Sequence, residues 1–468
     1  MLHRINKLQF EALCATEAKA FEVRNNFSGI YQGQITDVID KVCSRYVSED
    51  EWIQIDRVEV NLGNFDSGSF EKIFTDVLLA KFENELLKKI SSIPAAEKQS
   101  SKQSFYLEIL VHFLQTGTVP WWAEDEALDI HTVFTEVAEQ QEQLLYKFLE
   151  QHRLTPTIWQ RLSMQFNYEV HDHIISLFPT LAIAEKQLVL WDELVSTQFK
   201  NFTDGINFDL PQATQRKKFI LYHAPKFYTI KKGNTVTEKL IRLYAKEFTR
   251  INSAVISGEE VAQKIIAYEN SNTTKPAIGL PDMAGNEIRE EALQEVSPEV
   301  ILPDKFTVHI AGAVLLAPYF KQLFTHLNLL EQGEWKSSEA NYKAIHLIRY
   351  LVTGQQMCPE HSLVLEKLLC GIEINAPIPR EVELSNEEMS EATELLQSVI
   401  SNWAKLKNTS VEGLRETFLK RDGILTKKEN GWLLQVERKT ADVLLDSIPW
   451  GYTTLAFTWN NYIIFTEW

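Results

Sequence analysis

The sequence predicts a mainly α-helical chain in which a multi-helix middle is flanked by small α+β units at the N- and C-termini. Three observations carry that prediction. Apolar residues recur at three- and four-residue spacing through most of the chain. The period switches to two at residues 53–63 and again after Ile424. Hydrophobic residues make up 44% and charged residues 24%, proportions of chains that fold rather than stay disordered. At about 100–200 residues per domain, the 468 residues form about two to four units, each able to bury a core.

The first unit, residues 1–95, reads as strand, helix, strand, helix. Residues 4–14 partly alternate, and Ile30, Ile35, Val38, Ile39, Val42 and Tyr46 then fall at helical spacing. In residues 52–63, Ile53, Ile55, Val58, Val60 and Leu62 alternate on either side of Asp56-Arg57, the pattern of a half-buried strand with a bulge that Gly63 ends. Residues 70–93 form an amphipathic helix whose last turns carry Lys88 and Lys89, placed to complement the helix dipole. Residues 94–104 (PAAEKQSSKQS) turn small and polar and read as a linker.

Residues 105–269 read as a helical region, with helices over 105–115, 130–152, 157–177, 181–199 and 235–248. The Pro-, Gly- and Asn-rich, then acidic stretch 270–304 reads as a second linker. The last unit, 305–468, is helical and ends in hairpin, helix, hairpin. Its helices fall at 310–330, 341–352 and 362–370, and Ser385-Asn386-Glu387-Glu388 is a capping box that starts another. A short helix over 411–420 leads into strands on either side of Asn430-Gly431. A helix over 440–448 and strands over 452–458 and 462–468 close the chain.

One internal echo stands out. Residues 111–117 (VHFLQTG) and 348–354 (IRYLVTG) share an aromatic-Leu-x-Thr-Gly ending, in which Gly117 and Gly354 are each expected as a left-handed helix C-cap. Either an old duplication or two similar helix ends that arose separately accounts for the pair.

Acidic residues outnumber basic ones 64 to 47, and the net charge of −17 repels phosphate backbones and anionic headgroups, which argues against nucleic acid as a partner. The local exception, Arg216-Lys217-Lys218 with Lys226 and Lys231-Lys232, is interleaved with Phe219, Tyr222, Phe227 and Tyr228 and reads as a solvated helix face or a loop. Cys14, Cys43, Cys358 and Cys370 lack metal or CxxC spacing and no signal peptide precedes them, so reduced thiols in a cytoplasmic chain are expected. The apolar run 310–320 is about half the ~20 residues a membrane span needs, and Pro318 interrupts it. A buried helix, without stable membrane insertion, is expected there.

Candidate chemistry is sparse. In Glu169-Val170-His171-Asp172-His173 a helix would point the two imidazoles about 200° apart, so His171 and His173 read as exposed helix residues rather than metal ligands. Cys358 and Cys370 lie near His346 and His361 in sequence, but Cys370 ends an apolar helical run and reads as a buried structural thiol. The sequence carries no GxSxG, HExxH, P-loop or dinucleotide fingerprint, and no enzyme is expected. Trp121-Trp122 are adjacent large aromatics that cannot both enter one helical core. Either one is exposed to a partner or both pack at a corner. With Trp432, Trp450 and Trp468 they are the candidate interaction residues.

In the C-terminal segment, residues 313–320 (AVLLAPYF), 344–354 (AIHLIRYLVTG), Pro359-Glu360, 365–371 (LEKLLCG), Pro379-Arg380-Glu381, 408–419 (NTSVEGLRETFL), 431–437 (GWLLQVE) and 448–451 (IPWG) resemble, in order, the tape measure proteins of contractile injection systems. Residues 5–8 (INKL), 55–63 (IDRVEVNLG) and 117–122 (GTVPWW) resemble the same family, while 125–305 match no recognisable motif. The resemblance implies a protein similar in role to the phage tail ruler, which occupies the lumen of the growing inner tube and sets the length at which polymerisation stops. It implies inner tube, cap and baseplate subunits as partners, possible self-association, assembly in the cytoplasm, and no cofactor. An assembly adaptor or cargo-loading chaperone of the same particle, docking through its end units, is the alternative. A continuous helix of about 345 residues would measure ~520 Å. Yet this chain is broken into short helices and is 11% aromatic, so a compact fold is expected for the free protein, with any extended form confined to the tube.

Overall fold

The computed structural model describes residues 5, 8–26, 32–46, 53, 55–65, 70–92, 102–123, 128–199, 212–229, 235–251, 257–271 and 302–468. The expected second linker, but for its ends, and most of the first lie outside the described residues. The chain divides into two units, residues 1–109 with 121–142 and residues 110–120 with 143–468.

In the smaller unit, α1 (Glu17–Asn26) is followed by α2 (Gln32–Tyr46) and α3 (Phe70–Ser92). The apolar stripe Ile35, Val38, Val42 meets Phe74, Leu78, Phe82 and Leu86, and Val42 and Phe74 are wholly buried. The expected strand after α2 is instead an extended segment lying on this helix pair. Ile55, Val58, Val60 and Leu62 pack onto the core while Asp56, Arg57, Glu59 and Asn61 face solvent. Lys81 Nζ donates to Asn61 O at 3.0 Å and the Gly63 N–H to Asn61 Oδ1 at 2.9 Å, so side chains hold the segment where a ladder was expected. The described part of 4–14 is likewise not a strand, and among the described residues every strand lies at or beyond Lys305.

Helix α4 (Lys102–Thr116), a 3₁₀ turn at Trp121–Ala123 and α5 (Ile130–Gln151), interrupted by non-helical backbone at Gln141, come next. In the larger unit they are followed by α6 (Pro156–Gln165), α7 (Tyr168–Leu177), α8 (Pro179–Phe199), α9 (Ala213–Tyr222), α10 (Ala224–Thr229), α11 (Thr235–Ile251) and α12 (Gly258–Ser271). The breaks before Pro156 and Pro179 fall where the expected helices were already separate, whereas a further break at Asn167 divides the helix expected over 157–177 into α6 and α7. Pro lacks a backbone N–H and is tolerated only in a first turn, and Asn167 caps α7 by accepting from the Val170 N–H.

After β1 (Lys305–Val308) the apolar run becomes a buried 3₁₀ segment, Ala311–Leu316, and Pro318 opens α13 (Ala317–His326). A two-residue hairpin, β2 (Leu330–Glu331) and β3 (Glu334–Trp335), precedes α14 (Ser338–Thr353) and α15 (Val364–Leu369). Helix α16 (Asn386–Asn402) starts on the expected capping box, Ser385 Oγ accepting from the Glu388 N–H and Glu388 from the Ser385 N–H. Then come α17 (Val411–Leu414), a π-turn at Arg415–Leu419, β4 (Gly423–Lys428), β5 (Gly431–Val436), β6 (Thr454–Leu455) and β7 (Ile464–Glu467). The segment expected as a helix over 440–448 is 3₁₀, Thr440–Ser447. The sheet runs β1-β4-β5-β7-β6, antiparallel except that β7 lies parallel to β5. Leu425, Leu434 and Ile464 on its inner face are wholly buried and join Leu347, Leu351 and Leu396 in one core.

Candidate functional site

The two helix ends that echo one another in sequence end alike. Gly117 has φ +76° and its N–H donates to Phe113 O at 2.8 Å; Gly354 has φ +75° and donates to Tyr350 O at 2.8 Å. Both are the expected left-handed caps. Their surroundings differ. An added Cβ at Gly354 would lie 3.3 Å from the Arg415 guanidinium, whereas at Gly117 it would run into Glu360 Oε1 and lie 2.9 Å from Arg161 Nη2.

Those two groups belong to a buried ion cluster. Arg161 Nε donates to Glu360 Oε2 at 3.0 Å, and neither side chain is exposed at all. The rest of the guanidinium donates to Leu114 O and to Asn375 O, each at 2.5 Å. Lys367 Nζ donates to Glu360 Oε1 and to Ile374 O, both at 2.7 Å. Arg349 Nε lies 2.6 Å from Glu366 Oε1, again with both partners buried. Gln165 ties the same corner, accepting from the Glu360 N–H at 3.1 Å and donating to Ile378 O. Burial raises the Glu366 carboxyl above its ordinary range, and desolvation pulls Lys367 down to about 8.

Other charged groups are spent in the same way. Arg415 donates to Leu351 O at 2.9 Å and Tyr350 O at 3.3 Å, closing the end of α14. Arg421, wholly buried, donates to Thr417 O and Asp442 Oδ1 and lies 6.0 Å from the Trp468 ring. The basic stretch read as a solvated helix face or a loop is corrected in part: Lys218 is exposed, but Lys217 is buried and paired with Asp172 and Glu185, and Arg216 donates to Asp192 Oδ2 at 3.1 Å, while Lys231-Lys232 lie outside the described residues. His171 is also corrected. It is buried, with Nε2 3.0 Å from Leu162 O, because α7 turns that face onto α6; His173 is half-buried. Among the described residues no group of His, Cys, Asp and Glu could hold a metal ion.

Burial raises the Cys358 and Cys370 thiols, and Cys370 is the buried structural thiol expected. His346 meets backbone carbonyls at both ring nitrogens, Pro379 O at 2.9 Å and Gln356 O at 3.3 Å, and so is committed to the fold rather than to a thiol.

The five tryptophans fall in different settings. Trp121 is 43% exposed, while Trp122 is half-buried with its ring edge-on to Phe105 at 5.1 Å. Trp432 is buried on the inner face of β5, 6.1 Å from Phe306. Trp450 donates to Leu315 O at 3.0 Å and stands against Tyr319, and Trp468 packs on Tyr452. The ion cluster was missed by sequence reasoning. Its signal was charge inside apolar helical runs, Arg161 between Trp159 and Leu162 and Glu366-Lys367 within VLEKLL.

The guanidinium, ammonium and carboxylate groups of this cluster join distant backbone segments, so this polar chemistry holds the fold. The family model for the contractile injection system tape measure protein matches residues 2–468, and the chain belongs to that family. No curated protein and no solved structure matches it. Among the described residues no single helix is long and apolar enough to cross a membrane.

Proposed function

We propose that this tape measure protein sets inner tube length from within the lumen, that its larger unit folds before assembly, and that residues 125–305 are the part whose length is read. The match of the tape measure family along nearly the whole chain carries the reading. Inner tube, cap and baseplate subunits are its partners, with Trp121 as the aromatic side chain placed to meet one of them. As one continuous helix, residues 125–305 would span about 270 Å.

The test is an insertion of about 30 residues of helix-forming sequence between Ser271 and Leu302, where it leaves every described contact in place. A ruler read as helix lengthens the tube by about 45 Å, and one read as extended chain by about 100 Å. Tube lengths measured by electron microscopy decide between these values. Unchanged length removes the ruler reading and favours an assembly adaptor.

A further inference from the structure

The cluster around Glu360 joins pieces of chain that lie far apart: Arg161 and Glu360 are separated by 199 positions, and Arg161 and Asn375 by 214. Through it, Leu114 near the end of α4 and Arg161 and Gln165 of α6 are fastened to residues 360–378 and, by way of α15, to Arg349 on α14. Arg161 and Lys367 both pair with Glu360, and Arg349 pairs with Glu366 beside it.

An ionic cluster is a poor way to maximise stability. The desolvation of each ion offsets much of the attraction, and apolar side chains of similar volume commonly hold a core as well or better. The two kinds of contact differ in how they respond to water. Apolar surfaces drawn apart are penalised in proportion to the area exposed and tend to close again. Ions drawn apart regain their hydration, so an opening that admits water runs on to separation.

We propose that this cluster is a release latch. It keeps Leu114 and the Arg161–Gln165 end of α6 fastened to residues 349–378 in the free protein and lets them part when the chain is drawn out along the tube. The proposal rests on the ruler reading above.

The test replaces the centre of the cluster in the full chain with apolar side chains, Arg161→Met, Glu360→Leu and Lys367→Met together. The expected result is a folded protein whose unfolding temperature is not lowered, and loss of assembled particles or tubes of aberrant length. Particles of normal number and length from that folded variant overturn the latch. If the variant does not fold, hydrogen exchange of the unmodified protein decides. Amides of α6 and α15 that exchange together, while those around Leu347 and Leu396 stay protected, support the latch; exchange of all of them only with global unfolding overturns it. The insertion between Ser271 and Leu302 separates the two failures. A tube that lengthens with the insertion but tolerates the apolar cluster leaves the ruler standing and the latch refuted. Unchanged length refutes the ruler, and the exchange pattern still reads the latch.

Discussion

Gly117→Ala and Gly354→Ala make the same change at two helix ends of matching sequence and backbone, so their difference isolates what the new methyl meets. Both positions have φ near +75°, where an L side chain costs about 1–2 kcal/mol. At Gly354 little is added, since the nearest group is the end of Arg415 at 3.3 Å. At Gly117 the methyl enters the space of Glu360 Oε1 and Arg161 Nη2. Neither can step aside: Glu360 Oε1 also receives Lys367, and Arg161 is held by Leu114 O and Asn375 O. Making room breaks a buried ion pair, which costs about 3–5 kcal/mol. Gly117→Ala should therefore destabilise the larger unit by roughly 4–7 kcal/mol and Gly354→Ala by only about 1–2 kcal/mol. Urea unfolding of the full chain, followed by tryptophan fluorescence and compared at equal m-value, measures both. Equal losses, or a larger loss at Gly354, would refute the reasoning that ties Gly117 to the cluster.

Trp121→Ala should change stability by no more than about 0.5 kcal/mol and lower incorporation of the chain into particles, whereas Trp432→Ala, on the buried face of β5, should cost about 3–5 kcal/mol. Denaturation midpoints and immunoblots of purified particles read the pair; normal incorporation of Trp121→Ala removes that side chain from the interface. His223 should shape the acid limb of the stability curve. Desolvation, then the Lys226 ammonium 3.2 Å from its Nδ1, depresses its pKa to about 3, so the unfolded chain binds the extra proton between pH 3 and 6.5. The contribution is complete above pH 6.5 and is lost as pH falls towards 3, and His223→Gln should flatten that limb in urea midpoints taken across the range.

What was legible in the sequence was local. The capping box at Ser385 and both glycine caps rest on residues within a few positions of one another, and the structure has them as expected; the hairpin near Asn430 also forms, but its turn residues are Glu429-Asn430 and Gly431 is already paired with Lys428. Alternation at residues 53–63 also fixed correctly which side chains face the core. It did not fix a ladder, because an extended chain lying on two helices shows the same period as a strand, and pairing depends on a second backbone that alternation does not reveal. The His171 error has a similar source: helical spacing says which residues share a face, but not that a neighbouring helix covers it. The ion cluster was out of reach because its partners are set by tertiary packing across 199 positions.

Four of the segments that resemble the tape measure family meet at this cluster. Gly117 comes from GTVPWW, Arg349 from AIHLIRYLVTG, Glu360 from its Pro-Glu pair, and Glu366-Lys367 from LEKLLCG; Arg161 and Gln165 come from the stretch without a recognisable motif. A charged residue held this way cannot be exchanged singly, since removing one partner strands the other in a medium that does not solvate it. At these positions the recognisable sequence is explained by internal support, and the proposed contacts with other particle subunits have to be sought on different side chains. Trp121 is the informative case, because it belongs to the GTVPWW motif and yet keeps nearly half its surface exposed, which packing within the unit does not require.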